Sequence, residues 1–181
     1  MNDGLIPNRY AKALYKYAAG QDAADSVYVE TGALVRSYMS EPGLAKAVEN
    51  PFLPVADKVK VLLSASAAAA GKSLDRFFKL VFSHGRESML LQMALSYGKL
   101  YREANGISQV VITTATEFPE TDLKKIRDYV QSCLGGRKLE YNVVVDPALI
   151  GGFTIKVDSY LLDASISNEL RNLRLKLLSR K

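Results

Sequence analysis

The sequence predicts a mostly α-helical protein with a small α+β part. Three observations carry this: apolar residues recur with the helical period through residues 1 to 105, the period switches to that of strands after Asn105-Gly106, and one more amphipathic segment closes the chain. The expected domains are 1–105, with six helices, and 106–181, a smaller α+β domain.

Tyr10, Ala13, Leu14 and Tyr17 stand at i, i+3, i+4 and i+7 behind Pro7, which suits the start of a first helix. Val27, Thr31, Leu34, Val35 and Tyr38 repeat the pattern in a second. A short third helix over Pro42 to Val48 stops at the Asn50-Pro51 breaker. Pro54 opens a fourth, with Val55, Val59, Leu62 and Leu63 on one face, running through the alanine run at 67–70 to Gly71. Ser73 is placed to cap the fifth, whose stripe is Leu74, Phe77, Phe78 and Val81, ending at Gly85. Leu90, Met93, Ala94, Tyr97, Leu100, Tyr101 and Ala104 mark the sixth.

Ile107 to Thr116 is rich in Val, Ile and Thr and reads as a strand, followed by a helix from Glu120 to Leu134 closed by Gly135-Gly136. Leu139, Tyr141, Val143 and Val145 alternate with polar neighbours, as do Phe153, Ile155 and Val157, so two strands flank the paired glycines Gly151-Gly152. An extended piece at Tyr160 to Leu162 leads through Asp163 or Ser165, either a good cap, into a last helix carrying Ile166, Leu170, Leu173 and Leu177.

The composition narrows the chemistry. At 181 residues, 48% apolar and 24% charged, the chain can bury a real core. Its net charge of +5 is spread evenly, 13 Lys/Arg against 10 Asp/Glu up to residue 105 and 11 against 9 beyond, so nucleic acid is not an expected partner. One cysteine, Cys133, and one histidine, His84, leave no set for a disulfide, a cysteine zinc site or a histidine cluster. No metal or cofactor is expected. No apolar run spans a bilayer, and the N-terminus has neither a signal-peptide nor a transit-peptide pattern, so a reducing cytosol is the expected compartment.

Several segments could carry chemistry, and a blander reading is preferred for most. Ser66 to Ser73, SAAAAGKS, imitates a phosphate-binding P-loop but lacks the first glycine and follows a helix where that loop needs a strand. Gly151-Gly152 precedes a strand, so a turn or bulge is favoured over an anion cradle. Asp146 and Asp163 suit turns and caps better than paired acid-base work. His84 beside Ser83 has no nucleophile-elbow pattern and is expected to bond last-turn carbonyls. The terminal RNLRLKLLSRK carries five cations and no acid; the favoured reading is a helix whose leucines pack inward and whose cations complement its dipole. What remains is surface. The first helix offers tyrosines and alanines, and the fifth offers Phe77, Phe78, Leu80, Val81 and Phe82, so an amphipathic helix could lie between them; an internal core explains the same periodicity equally well.

Four segments together resemble one family. Arg9-Tyr10-Ala11-Lys12-Ala13-Leu14, Phe77 to Arg86 ending His-Gly-Arg, Asp146-Pro-Ala-Leu-Ile-Gly-Gly-Phe-Thr-Ile-Lys156 and Asp163-Ala-Ser-Ile166 are similar, in that order, to the delta subunit of F-type ATP synthase, the oligomycin-sensitivity-conferring protein of mitochondria. Val157-Asp158-Ser159 departs from the family's glycine turn, which bears on the local hairpin shape.

The resemblance implies a six-helix N-terminal bundle and a C-terminal α+β domain with no active site and no cofactor, one copy per complex. It implies that the bundle binds the N-terminal helices of alpha subunits through Tyr10, Ala13 and Leu14, with Phe77 and Leu80, and that the C-terminal domain holds the C-terminus of the stalk b subunit. Leu170, Leu173 and Leu177 are structural candidates for that second contact. The function expected is that of a non-catalytic stator subunit, one that couples proton or sodium flow to ATP synthesis, peripheral on the cytoplasmic side of a bacterial inner membrane. A small nucleic-acid-binding protein using the basic C-terminal helix is the alternative. Gly151→Val is expected to cost folding and stalk binding.

Overall fold

The computed structural model describes residues 4–69, 71–133, 138–158 and 160–178. The chain divides into two compact units, Met1–Tyr101 and Arg102–Lys181. It is mostly helical with one four-stranded sheet.

Six helices precede the first strand among the described residues: α1 Leu5–Ala19, α2 Ala24–Ser40, α3 Pro42–Glu49, α4 Val55–Ser66, α5 Ser73–Ser83 and α6 Leu90–Asn105. Helices α2 to α6 bury most of the face their periodicity marks, whereas α1 buries Pro7, Ala11, Leu14 and Ala18, and of its marked stripe only Leu14 is buried while Ala13 and Tyr17 are exposed. Ala11, Leu14 and Ala18 of α1 meet Val27, Thr31 and Leu34 of α2, Val59 and Leu62 of α4, and Leu74, Phe78 and Val81 of α5 in the core. Helix α6 adds Leu90, Met93 and Tyr97. The fully buried Tyr97 places its hydroxyl to donate to the Ala24 carbonyl at 3.0 Å, so its polar tip is satisfied. One turn on, Tyr101 donates to Asp25 Oδ1 at 2.8 Å, and that bond pushes the phenol up to about 12.

Two helix ends differ from the sequence expectation. Helix α4 stops at Ser66, not Gly71, although alanine is the best helix former. Ala67 takes a left-handed conformation, φ 53°, its N–H donates to Ser64 O, and Ala68 N–H donates to Leu63 O, the reciprocal pattern that closes helices. Ser37 of α2 also donates to the Ala65 carbonyl at 2.8 Å, so a distant helix satisfies part of the exposed end. Within the alanine run, Ala70 lies outside the described residues. At the start of α5, Ser73 is inside the helix and Lys72 takes the cap position with no side-chain bond; Asp75 accepts the Gly71 N–H instead, at 2.7 Å.

The second unit is built on β1 Ile107–Thr114, α7 Glu120–Cys133, β2 Lys138–Val145, β3 Gly152–Val157, β4 Tyr160–Ser165 and α8 Ile166–Leu178. Gly106, at φ 63°, turns the chain out of α6 into β1. The sheet order is β2-β1-β3-β4. Strand β2 runs parallel to β1, Ile107 opposite Lys138, as a helical crossover allows, and β3 and β4 are antiparallel to their neighbours. Helix α7 buries Leu123 and Val130 against Val110, Ile112 and Ile155 of the sheet. The residues expected to end α7, Leu134 with Gly135-Gly136, lie outside the described residues.

Strands β3 and β4 form a tight hairpin, Val157 opposite Tyr160, without the family's glycine. Asp158 takes the left-handed conformation, φ 49°, which Asp tolerates better than most residues; Ser159 lies outside the described residues. Between β2 and β3, Asp146 accepts the Ala148 N–H at 2.9 Å over a short 3-10 turn, Pro147–Leu149. Asp163 and Ser165 both serve the start of α8: Asp163 Oδ1 accepts from the Ser165 hydroxyl at 2.6 Å, and that hydroxyl accepts the Asn168 N–H at 3.2 Å.

Candidate functional site

Helices α1 and α5 leave an open groove of about 440 Å³, lined by Tyr10, Ala13, Leu14, Tyr17, Ser73, Arg76, Phe77 and Leu80. Its geometry follows from helical spacing. Tyr10, Ala13, Leu14 and Tyr17 occupy one stripe of α1, and Ser73, Arg76, Phe77 and Leu80 occupy one stripe of α5. Leu14 and Phe77 are buried and form the floor, while Leu80 is 45% exposed on the wall. The broad apolar face of α5 is therefore divided: Phe78 and Val81 are in the core, and Leu80 is turned outward.

Tyrosines on α1 are fastened at both ends of the groove. The Tyr10 hydroxyl lies 2.9 Å from His84 Nδ1, its ring meets Phe77 edge-on at 6.3 Å, and the Arg86 guanidinium sits 5.7 Å over it. Two turns along α1, the Tyr17 hydroxyl accepts from Arg76 Nη1 at 2.5 Å and from Gln21 Nε2 at 3.0 Å. The expected partners of His84 were last-turn carbonyls; its ring instead faces a tyrosine 74 residues away in sequence. Ser83 donates to the Leu80 carbonyl at 2.8 Å, so no serine–histidine dyad forms.

All five groove residues expected from the sequence, Tyr10, Ala13, Leu14, Phe77 and Leu80, line this one site. Sequence reasoning missed Tyr17, Ser73 and Arg76 as members. Tyr17 already stood in the helical stripe, and reading that stripe one position further would have found it.

The P-loop imitation is closed off by its own neighbour. The Gly71 amide is taken by the Asp75 carboxylate, which also accepts from Lys79 Nζ at 3.0 Å. The Gly71 bond first, then Lys79, holds that carboxyl below the usual carboxylate range, so a negative charge stands where a phosphate would have to lie. Among the described residues no cluster of His, Cys, Asp or Glu could hold a metal.

The paired glycines are structural. Gly152 has φ +76°, and a Cβ there would run into the Ala164 carbonyl of the paired strand; a Cβ on Gly151 would meet Ile166 Cδ1 at 2.5 Å. The steric constraint expected at Gly151 is therefore more severe at Gly152, where the obstacle is backbone.

Leu170, Leu173 and Leu177 are 52%, 55% and 66% exposed, and no described residue of α8 is buried. The inward packing favoured from the sequence is thus incorrect. Among the described residues the helix's main contacts are with β4 and the 3-10 turn, and none of its leucines belongs to the unit's core cluster. Of the basic tail, Arg171 donates to Asn168 Oδ1, and Arg180 and Lys181 lie outside the described residues.

Over residues 6–177 the sequence matches the family described as ATP synthase delta (OSCP) subunit. It is 37% identical over 172 residues to ATP synthase subunit delta of Phocaeicola vulgatus, covering 94% of this chain and 92% of that one. It is 34% identical over 181 residues, the full length of both, to the protein of that name from Parabacteroides distasonis. The fold is similar to a chain in the cryo-EM structure of the Toxoplasma gondii mitochondrial ATP synthase hexamer, with a TM-score of 0.74 at 17% identity over 95% of this chain and 97% of that one.

Proposed function

The chain belongs to the ATP synthase delta (OSCP) subunit family and is a stator subunit of ATP synthase, and from that premise we propose how its two units do the work. The first unit, its six helices packed as a bundle, receives the N-terminal helices of alpha subunits. The second grips the C-terminus of the peripheral-stalk b subunit. One copy per complex then ties the catalytic head to the stalk, so that ion flow through the membrane sector turns the rotor and not the head. The subunit performs no catalysis itself and sits at the cytoplasmic face of a bacterial inner membrane. No helix among the described residues is long and apolar enough to cross a membrane, which agrees with a peripheral place.

The observation that carries this reading is the groove between α1 and α5. Its apolar lining, with Leu14 and Phe77 on the floor and Ala13 and Leu80 beside them, is open at the surface, as a site for one face of a helix must be. Burial at about 25 cal/mol per Å² gives a contact whose dissociation is slow. That is the demand on a stator, which must hold under torque. For the second contact, the outward leucines of α8 supply an apolar stripe that the unit's own core does not use. No observation favours the nucleic-acid alternative.

The test mixes the full chain with a synthetic peptide of the first twenty or so residues of the alpha subunit from the same organism. Calorimetry is expected to show tight binding that Tyr10→Ala weakens by about tenfold or more, since the ring and its edge contact to Phe77 form one wall. No binding to a folded chain sinks the groove assignment.

A further inference from the structure

One cation, Arg76, lines the groove, and a second, Arg86, sits over the ring of its lining residue Tyr10. Arg9, Lys12 and Lys16 lie on α1 with no acid on that helix, and α5 carries Arg76 and Lys79 against Asp75 alone. These two helices thus hold a net charge of +4, against +5 for the whole chain. Asp75 does little to offset it outward, because it is buried and its carboxylate faces Gly71 and Lys79.

Two of the basic groups are held in place. Tyr17 fixes the Arg76 guanidinium, which uses one N–H on the phenol and keeps other donors of its fork for a second acceptor. At the opposite end the Tyr10 ring carries Arg86 over its face, with His84 on its hydroxyl. Tyr10 and Tyr17 are seven residues apart on α1, which is about 10 Å along the axis. A cation held by an aromatic ring or hydroxyl loses less freedom on meeting a carboxylate than a loose lysine does.

We infer that the groove selects an acidic amphipathic helix, one whose apolar face is flanked by carboxylates about two turns apart, at i and i+7, that land on Arg76 and Arg86. The inference rests on the helix-in-groove reading above and adds what the partner must look like. Arg76 is its specificity-determining residue. Apolar burial sets the lifetime of the complex, and the two arginines set how fast the right helix arrives and which helices are rejected.

The experiment uses the full chain and two synthetic 20-residue peptides with the same leucine and alanine stripe. One carries glutamates at positions seven apart beside the stripe, and its twin carries lysines there. The alpha N-terminal peptide is run alongside, and rates are followed by stopped flow at low and high salt. The glutamate peptide is expected to bind about tenfold or more tighter than its twin at low salt, with an association rate that falls several-fold as screening rises and a dissociation rate that barely moves. Arg76→Gln, which leaves an exposed position polar, is expected to weaken the glutamate peptide about fivefold and spare the lysine twin. Equal binding of the twins, or equal loss of both in Arg76→Gln, overturns the inference while leaving the groove reading intact. Failure of all three peptides to bind a folded chain removes the groove reading and this inference with it.

Discussion

Gly152→Ala offers the sharpest test of how the second unit is built, with Gly151→Ala as its control. At φ +76° an L-residue pays about 1–2 kcal/mol for the left-handed conformation alone. The added methyl then meets the Ala164 carbonyl oxygen, which belongs to the paired strand and cannot rotate away. Relief requires β3 and β4 to part, at about 0.5–1.5 kcal/mol for each ladder bond weakened. Together these predict a loss of about 3 kcal/mol, or roughly 12 °C or more in the melting of a unit this size. In Gly151→Ala the methyl meets Ile166 Cδ1, the far end of a side chain that is 44% exposed and free to swing out, so about 1 kcal/mol or less is expected. Thermal unfolding of the full chain, with amide exchange reporting on β3 and β4, measures both. A Gly152→Ala protein that melts within two or three degrees of the parent, or a Gly151→Ala protein that is the less stable of the two, would refute the reasoning.

Two further predictions concern the surface of the second unit and the start of α5. Leu173→Ser should change stability by less than about 0.5 kcal/mol in the isolated chain, because the side chain is 55% exposed, yet it should weaken binding to a peptide taken from the C-terminus of the stalk b protein; a large drop in melting temperature would show that α8 is packed after all. Asp75 has a lowered folded-state pKa, so the stability it contributes is present at neutral pH and is lost as pH falls through the carboxylate range. Asp75→Asn should therefore have a lower urea midpoint than the parent at pH 7, with the gap narrowing as acid protonates the carboxylate; a gap unchanged by acid contradicts the charge argument.

The helices, the switch to strands after Asn105-Gly106 and the half of the groove on α1 were legible because they depend on local spacing. Tyr10, Ala13 and Leu14 lie on one stripe whatever that stripe meets. What was not legible depends on distant partners. Arg76 becomes part of the groove only because Tyr17 stands across from it, and His84 bonds Tyr10 only because α1 and α5 are neighbours. The end of α4 escaped for a related reason: alanine propensity argued for four more residues of helix, and a left-handed Ala67 with Ser37 on the Ala65 carbonyl overrode it. In α8 the leucine period is the same whether the stripe faces a core or open surface, so periodicity could not distinguish inward packing from the exposure observed.

The uncovered leucines of α8 also bear on how many copies a cell can keep. A protein made in excess of its complex would display Leu170, Leu173 and Leu177, with Tyr160 and Leu161 of β4, to every chaperone and protease it met. On the proposed stalk contact, assembly would hide that stripe, and anything left over would stay marked for removal. The same exposed helix would then set the stoichiometry of the stator without any dedicated regulator, and orphan copies should turn over faster than assembled ones.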